Sequence, residues 1–223
     1  FDWSPDPLAG RAPLRAFASF GPAILGSELL IAARLHCDKL IVGALLGTEA
    51  LGLYYFAFNA GLGITHSLVS ACNLVLFPHL TKTQGAELET EFRRAFVMGL
   101  VALVPLVAAQ AFLAPVYVPV IFGENWIAAT PYLSLLAFAA IPLFVAALLG
   151  ARFRALGKPY AETTLMAVAT PVALIGLTLG AQSSLMLACL GFAAGLSLLL
   201  LPAAAIHFNP LYRAQPALSK GGQ

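Results

Sequence analysis

The sequence predicts an all-α integral membrane protein, a bundle of six transmembrane helices. Of its 223 residues, 60% are hydrophobic and 10% are charged, whereas an average soluble domain carries about 25% charged residues. Its uncharged stretches are long enough for helices of the ~20 residues that span a bilayer. The strict alternation of polar and apolar residues that a membrane barrel needs is absent.

The spans follow from these uncharged stretches and from the turn signals between them. The first span is apolar but contains four charged residues, and Gly47-Thr48-Glu49 predicts a turn after it. The uncharged run 163–212 is too long for one helix, and its Gly180-to-Ser184 segment predicts a turn that divides it. The predicted spans are 17–46, 49–79, 93–121, 128–156, 160–180 and 184–207.

The two ends of the chain differ from the spans in composition. Residues 1–16 are polar and Pro-rich, which predicts a linker, and residues 208–223 form a polar tail. Because the chain begins at Phe1 within such a linker, we expect it to be the C-terminal part of a longer protein.

The Lys and Arg residues outside span one all fall on one side of the predicted bundle. Ten of the twelve lie before span one, after span two, at or after the end of span four, or in the tail; the other two, Arg34 and Lys39, lie inside span one. By the positive-inside rule, both ends of this segment are predicted to be cytoplasmic.

Several functions are disfavoured by composition and motifs. The net charge is +2 and no basic patch occurs, so a nucleic-acid partner is not expected. No phosphate-binding Gly-rich loop, HExxH sequence or paired-Cys motif is present. The sequence therefore predicts no catalytic residue, no metal site and no cofactor.

The first span carries the strongest functional signal. A charged residue at the bilayer centre costs about 2.5–3.5 kcal/mol on insertion scales. At about 100° per residue, Glu28 and Lys39 lie nearly in line, with Asp38 and Arg34 about 80° and 120° to one side. This arc predicts a water-filled cavity that binds a charged group or a coupling ion. The alternative is partial self-neutralisation near the interface, with Lys39 snorkelling.

The second span carries a polar stripe. Its members project into one arc of about 60°, and they are Tyr55, Asn59, His66, Ser70 and Asn73. The stripe predicts either a second wall of the cavity or helix packing through polar residues, and the sequence does not decide between the two.

Four segments of the chain together resemble a known family. They are FGPAILGSELL with DKLIVGALLGTEALGLYYFAFNAG (20–61), LVLFPHLTKTQG (74–85), VPVIFGENWIAATPYLSLLAFAAIP (118–142) and RALGKPYAETTLM (154–166). In order and spacing the chain resembles the C-terminal half of lipopolysaccharide/polysaccharide biosynthesis proteins. These are the oligosaccharide-lipid flippases of the multidrug/oligosaccharidyl-lipid/polysaccharide exporter superfamily.

The resemblance implies a function and a location. Such proteins consist of two six-helix bundles in the bacterial cytoplasmic (inner) membrane and move polyprenyl-pyrophosphate-linked oligosaccharide to the periplasmic leaflet. The implied partners are this lipid-linked oligosaccharide, membrane lipids and an N-terminal six-helix half. Arg34 and Lys39 would contact the anion, Glu28 and Asp38 would tune the cavity or carry a coupling ion, and Asn59 and His66 would add polar contacts. The resemblance does not specify a proton or a sodium ion.

Two other functions stay open at the level of sequence. A drug/cation antiporter of the same superfamily would use Glu28 and Asp38 as cation sites. A membrane enzyme of glycan assembly would need a large external loop with catalytic residues, and the external loops predicted here are short.

Overall fold

The chain is helical throughout the part that the structure describes. The computed structural model describes residues 14–80 and 85–208, and no strand occurs among them. The α-helices are α1 (Leu14–Leu80), α2 (Gly85–Phe122), α3 (Thr130–Phe138), α4 (Ala140–Ala155), α5 (Pro159–Ala181) and α6 (Leu185–Phe208), and a 3-10 helix, Glu124–Ala129, precedes α3. The predicted all-α class is confirmed.

Four stretches of the described helices are long and apolar enough to cross a membrane. They are Leu88–Phe122, Glu124–Ala155, Pro159–Ala181 and Leu185–His207. Helix α1, whose first part carries the four charged residues, is not among them. The number of six spans therefore stays a prediction.

Gly47 divides α1 into two antiparallel arms, the first arm 14–46 and the second arm 48–80. Its φ of 88° and ψ of 177° are not helical, and glycine adopts this conformation without steric cost. The chain reverses here, because the side chain of Tyr54 reaches that of Asp38. In an uninterrupted helix these two residues would lie about 24 Å apart. The chain thus turns where the sequence predicts a turn.

Two helical segments differ from the predicted spans. Helix α2 begins at Gly85, not at residue 93, because the connector AELETE consists largely of helix formers, and acidic residues near a helix N-terminus are favourable. The segment 128–156 is interrupted at Ala139, between α3 and α4. Pro142 explains this break, since it has no N–H to bond the carbonyl of Phe138 and its ring collides with it.

Helices α5 and α6 form an antiparallel pair whose backbones touch. Glycines repeat at four-residue spacing in both helices, at 176 and 180 in α5 and at 191 and 195 in α6. A Cβ added at Gly176 or Gly191 would overlap the backbone carbonyl of the other residue. Small residues at this spacing let membrane helices approach closely.

Helix α5 also runs parallel to the first arm of α1. Thr163 Oγ1 donates a hydrogen bond of 2.6 Å to the carbonyl of Ala23, and Thr170 Oγ1 donates one of 3.4 Å to that of Leu30. Donors and acceptors are both seven residues apart, so the two helices stay in register over two turns. These two hydrogen bonds hold the charged first arm beside α5.

Candidate functional site

The structure separates the four charged residues of the first arm into two groups. Arg34 and Glu28 line a cavity, whereas Asp38 and Lys39 are not among its lining residues. Arg34 and Asp38 are buried, with 6% and 0% of their surface exposed. Residues of the second arm contact Asp38 and Lys39, so only Glu28 and Arg34 of the predicted arc line this cavity.

Asp38 and Lys39 are held inside the α1 hairpin. The hydroxyl of Tyr54 donates a hydrogen bond of 3.0 Å to Asp38 Oδ2. Lys39 Nζ lies 3.3 Å from Asp38 Oδ1 and donates a hydrogen bond of 2.6 Å to the carbonyl of Leu35. The ammonium also lies 4.1 Å from the ring centroid of Phe58, a cation–π contact. These contacts compensate both charges, as burial requires, and join the two arms.

A cavity of about 470 Å³ lies among both arms of α1, α4 and α5. Its volume falls within the range of about 300–1,000 Å³ that is usual for ligand pockets. Two carboxylates and two guanidinium groups face it together with an amide and a hydroxyl, while the remaining lining is apolar. The polar lining residues are Glu28, Arg34, Asn59, Ser70, Arg154 and Glu162. We refer to this space as the polar cavity.

Arg34 has unused hydrogen-bonding capacity in the polar cavity. Its Nη1 is buried and has no hydrogen-bond partner among the described residues. The carboxylate one turn later, Asp38, is engaged by Tyr54 and Lys39. A buried charged donor without an acceptor is costly. Arg34 is therefore available to bind an anionic or polar group that enters the cavity.

Arg154 and Glu162 meet across the turn between α4 and α5. Arg154 Nε lies 3.2 Å from Glu162 Oε2, at ion-pair distance but without hydrogen-bond geometry. Gly157, with a φ of 68°, closes the turn between them. Gly150 leaves space for the carboxylate, since a Cβ added there would lie 2.9 Å from Glu162 Cδ.

Sequence reasoning does not assign Arg154 and Glu162 to the site. Arg154 counts among the connector charges after the fourth span, and Glu162 lies near the start of the fifth. Their spacing is the signal that could have found them. They have opposite charges and lie nearly symmetrically about the Gly157-Lys158 turn of a helical hairpin, so antiparallel packing brings them together.

The polar stripe of the second arm contributes in part. Asn59 and Ser70 line the polar cavity, whereas Tyr55 is exposed and its carbonyl accepts a hydrogen bond of 2.8 Å from Asn59 Nδ2. His66 and Asn73 lie on α1, but their side chains are outside the described part of the chain.

Comparisons with known proteins point to one family. Residues 1–131 match the sequence model of a family described as polysaccharide biosynthesis protein. The chain is also similar to the teichuronic acid biosynthesis protein TuaB of Bacillus subtilis (strain 168), with 26% identity over 141 residues. This alignment covers 62% of the chain and 29% of TuaB, so the chain spans less than a third of that relative. No solved structure matches.

Proposed function

The chain belongs to the polysaccharide biosynthesis protein family, and from this premise we propose that it forms part of a non-catalytic membrane translocator. Its substrate would be polyprenyl-pyrophosphate-linked oligosaccharide, carried from the cytoplasmic to the periplasmic leaflet. The observation that carries the proposal is the polar cavity, in which Arg34 is buried with Nη1 unpartnered among the described residues.

The polar cavity suits a phosphate-bearing glycan. Guanidinium groups bind phosphate oxygens through paired N–H donors, which Arg34 would supply. Arg154, which also lines the polar cavity, would contribute a second guanidinium. Sugar hydroxyls would donate to the carboxylates of Glu28 and Glu162. The mixed charges of the lining thus match a substrate with one strongly anionic part and many hydroxyls.

We further propose that the segment crosses the bacterial inner membrane six times, with both ends cytoplasmic. The two arms of α1 would add two spans to the four candidate spans. One contact supports this arrangement: Arg152 at the end of α4 bonds Glu89 near the start of α2 at 2.9 Å and lies 3.4 Å from His207 near the end of α6. These three helix ends therefore share one side, as the positive-inside rule requires.

Translocation would proceed by alternating access. The six-helix bundle would rock against an N-terminal six-helix half around a substrate bound near the middle of the membrane, as in two-bundle transporters. Glu28 and Glu162 are the cavity carboxylates that could carry a coupling ion, a proton or sodium. Asp38 is less suited to this role because its carboxylate is engaged within the α1 hairpin.

A drug/cation antiporter is the second candidate function. The observation that favours it is the pair of carboxylates, Glu28 and Glu162, in the polar cavity. For an antiporter, Glu162→Gln would abolish drug resistance while Arg34→Gln would leave it intact. For the translocator, Arg34→Gln is the more damaging change.

The proposal is tested in a strain that lacks the gene. We expect lipid-linked glycan to accumulate on the cytoplasmic leaflet and surface glycan to disappear. The full-length wild-type gene should restore export, and Arg34→Gln should restore it several-fold less well at equal protein level. Lys158→Gln is the matched control, because it removes an exposed positive charge outside the polar cavity. Unchanged glycan export in the deletion strain would disprove the proposal.

A further inference from the structure

A second cavity, of about 530 Å³, lies between the second arm of α1 and helix α2. Along α2 its lining extends from Leu106 to Phe122, about 24 Å at 1.5 Å per residue. The lining is apolar except for Asn59, Gln110 and Tyr117. We call it the apolar groove. Its length along α2 is comparable to most of the ~30 Å thickness of a bilayer's hydrocarbon core.

The apolar groove and the polar cavity meet on the second arm. Asn59 and Gly63 line both spaces. Gly63 adds no bulk at this junction, because no described residue outside its own helical turn comes within 4 Å of the position that a Cβ would occupy there. A molecule with a polar end and an apolar end could therefore occupy both spaces at once.

The apolar groove lies open on the surface of the described bundle. Helix α2 is the least covered candidate span: 22% of its most apolar stretch is buried, against 33% to 67% for the other three. The groove residues Leu113 and Ile121 are 55% and 67% exposed. A hydrocarbon chain can thus enter sideways from the lipid without passing the charged lining of the polar cavity.

We infer that the apolar groove binds the hydrocarbon chain of the lipid-linked substrate while the polar cavity binds its pyrophosphate and sugars. This inference rests on the proposed function. The argument is that the two spaces are adjacent: Asn59 and Gly63 line both of them, so the link between hydrocarbon chain and head group would lie beside these two residues. The protein would then select its substrate by both ends, and the chain would stay in an apolar environment during transport.

Photochemical labelling of the full-length protein in lipid nanodiscs tests the inference. The probes are a prenyl pyrophosphate with a diazirine in its chain and the corresponding prenyl alcohol. Ala109→Trp fills the groove from α2. Val101→Trp is the matched control, because Val101 lies on the same helix, is 68% exposed and does not line the groove. Arg34→Gln tests the head-group site separately.

We expect both probes to label Ala109 and Leu113 several-fold more than Phe112 and Val101, although Phe112 and Val101 are more exposed than Leu113. Ala109→Trp should remove this preference and Val101→Trp should keep it. Arg34→Gln should weaken labelling by the pyrophosphate probe and leave the alcohol unaffected. Uniform labelling along α2, as by ordinary lipid, or no labelling of the groove, as when another helix covers it, would overturn the inference. Groove labelling that Ala109→Trp removes but Arg34→Gln leaves unchanged for both probes would support the groove and contradict the proposed function.

Discussion

The hydroxyl of Tyr54 donates a hydrogen bond of 3.0 Å to Asp38 Oδ2 across the turn at Gly47. Both residues have 0% of their surface exposed. The contact joins the two arms of α1 in the interior of the hairpin. Asp38 lies one turn from Arg34 on the same arm and is engaged by Tyr54 and Lys39, whereas Arg34 Nη1 has no hydrogen-bond partner among the described residues.

Removing this hydroxyl should destabilise the hairpin. We expect Tyr54→Phe to lower the free energy of unfolding by about 1–2 kcal/mol, since hydrogen bonds to charged groups are worth about 1.5–3 kcal/mol and those in membrane proteins average less. Unfolding of the purified full-length protein in mixed detergent would measure it. Tyr55→Phe, at an exposed neighbour, is the control. Equal stability of the two variants would show that the hydroxyl contributes nothing.

Hydrophobic patterning was sufficient to predict the all-α class, because long apolar runs without charges indicate helices that are surrounded by lipid rather than water. The turn at Gly47 could also be predicted from the sequence, since Gly-Thr-Glu interrupts the apolar pattern. The break at Ala139 was harder to predict, because prolines within α2, such as Pro105 and Pro115, do not interrupt that helix. Whether a proline interrupts a helix depends on how neighbouring helices satisfy the freed carbonyl.

Less of the candidate site could be predicted from the sequence. A helical period can place Glu28, Arg34, Asp38 and Lys39 on one arc, but it treats the helix in isolation. It contains no information on Tyr54, which lies on the opposite arm and donates a hydrogen bond to the Asp38 carboxylate. Glu162 joins the site because α5 packs beside both α4 and the first arm of α1, and packing between helices is not contained in the period of a single helix.

Because the backbones of α5 and α6 touch at Gly191, a larger side chain at this position should destabilise the helix pair. We expect Gly191→Val to destabilise the full-length protein by about 3 kcal/mol, because the added methyls would push against the Gly176 carbonyl and separate the helices. Thermal unfolding or the yield of folded protein would measure the effect. Ala194→Val adds bulk to an exposed position on the same helix and should be tolerated. Equal stability of both valine variants would contradict the contact.

The ion pair between Glu89 and Arg152 predicts coupling between α2 and α4. The Nη2–Oε2 distance is 2.9 Å and the side chains are 24% and 13% exposed. A double-mutant cycle with Glu89→Gln and Arg152→Gln should give a coupling energy of about 1 kcal/mol, within the range for contacting charged residues. The control cycle pairs Glu89→Gln with Lys158→Gln, at an exposed position, and should be additive. Additivity in both cycles would remove the basis for placing these helix ends together.

Gly150 should matter for transport more than for folding. A Cβ at this position would lie 2.9 Å from Glu162 Cδ, so Gly150→Ala should displace the carboxylate from Arg154 and change the charge distribution in the polar cavity. The fold should tolerate this, because the end of a glutamate side chain can move and alanine favours the helix. We therefore expect glycan export to fall several-fold while protein level and unfolding temperature stay close to wild type. Gly52→Ala is the matched control, since a Cβ there would meet no described residue beyond its own helical turn within 4 Å. If Gly150→Ala exports as well as Gly52→Ala, the Arg154–Glu162 pair has no part in transport.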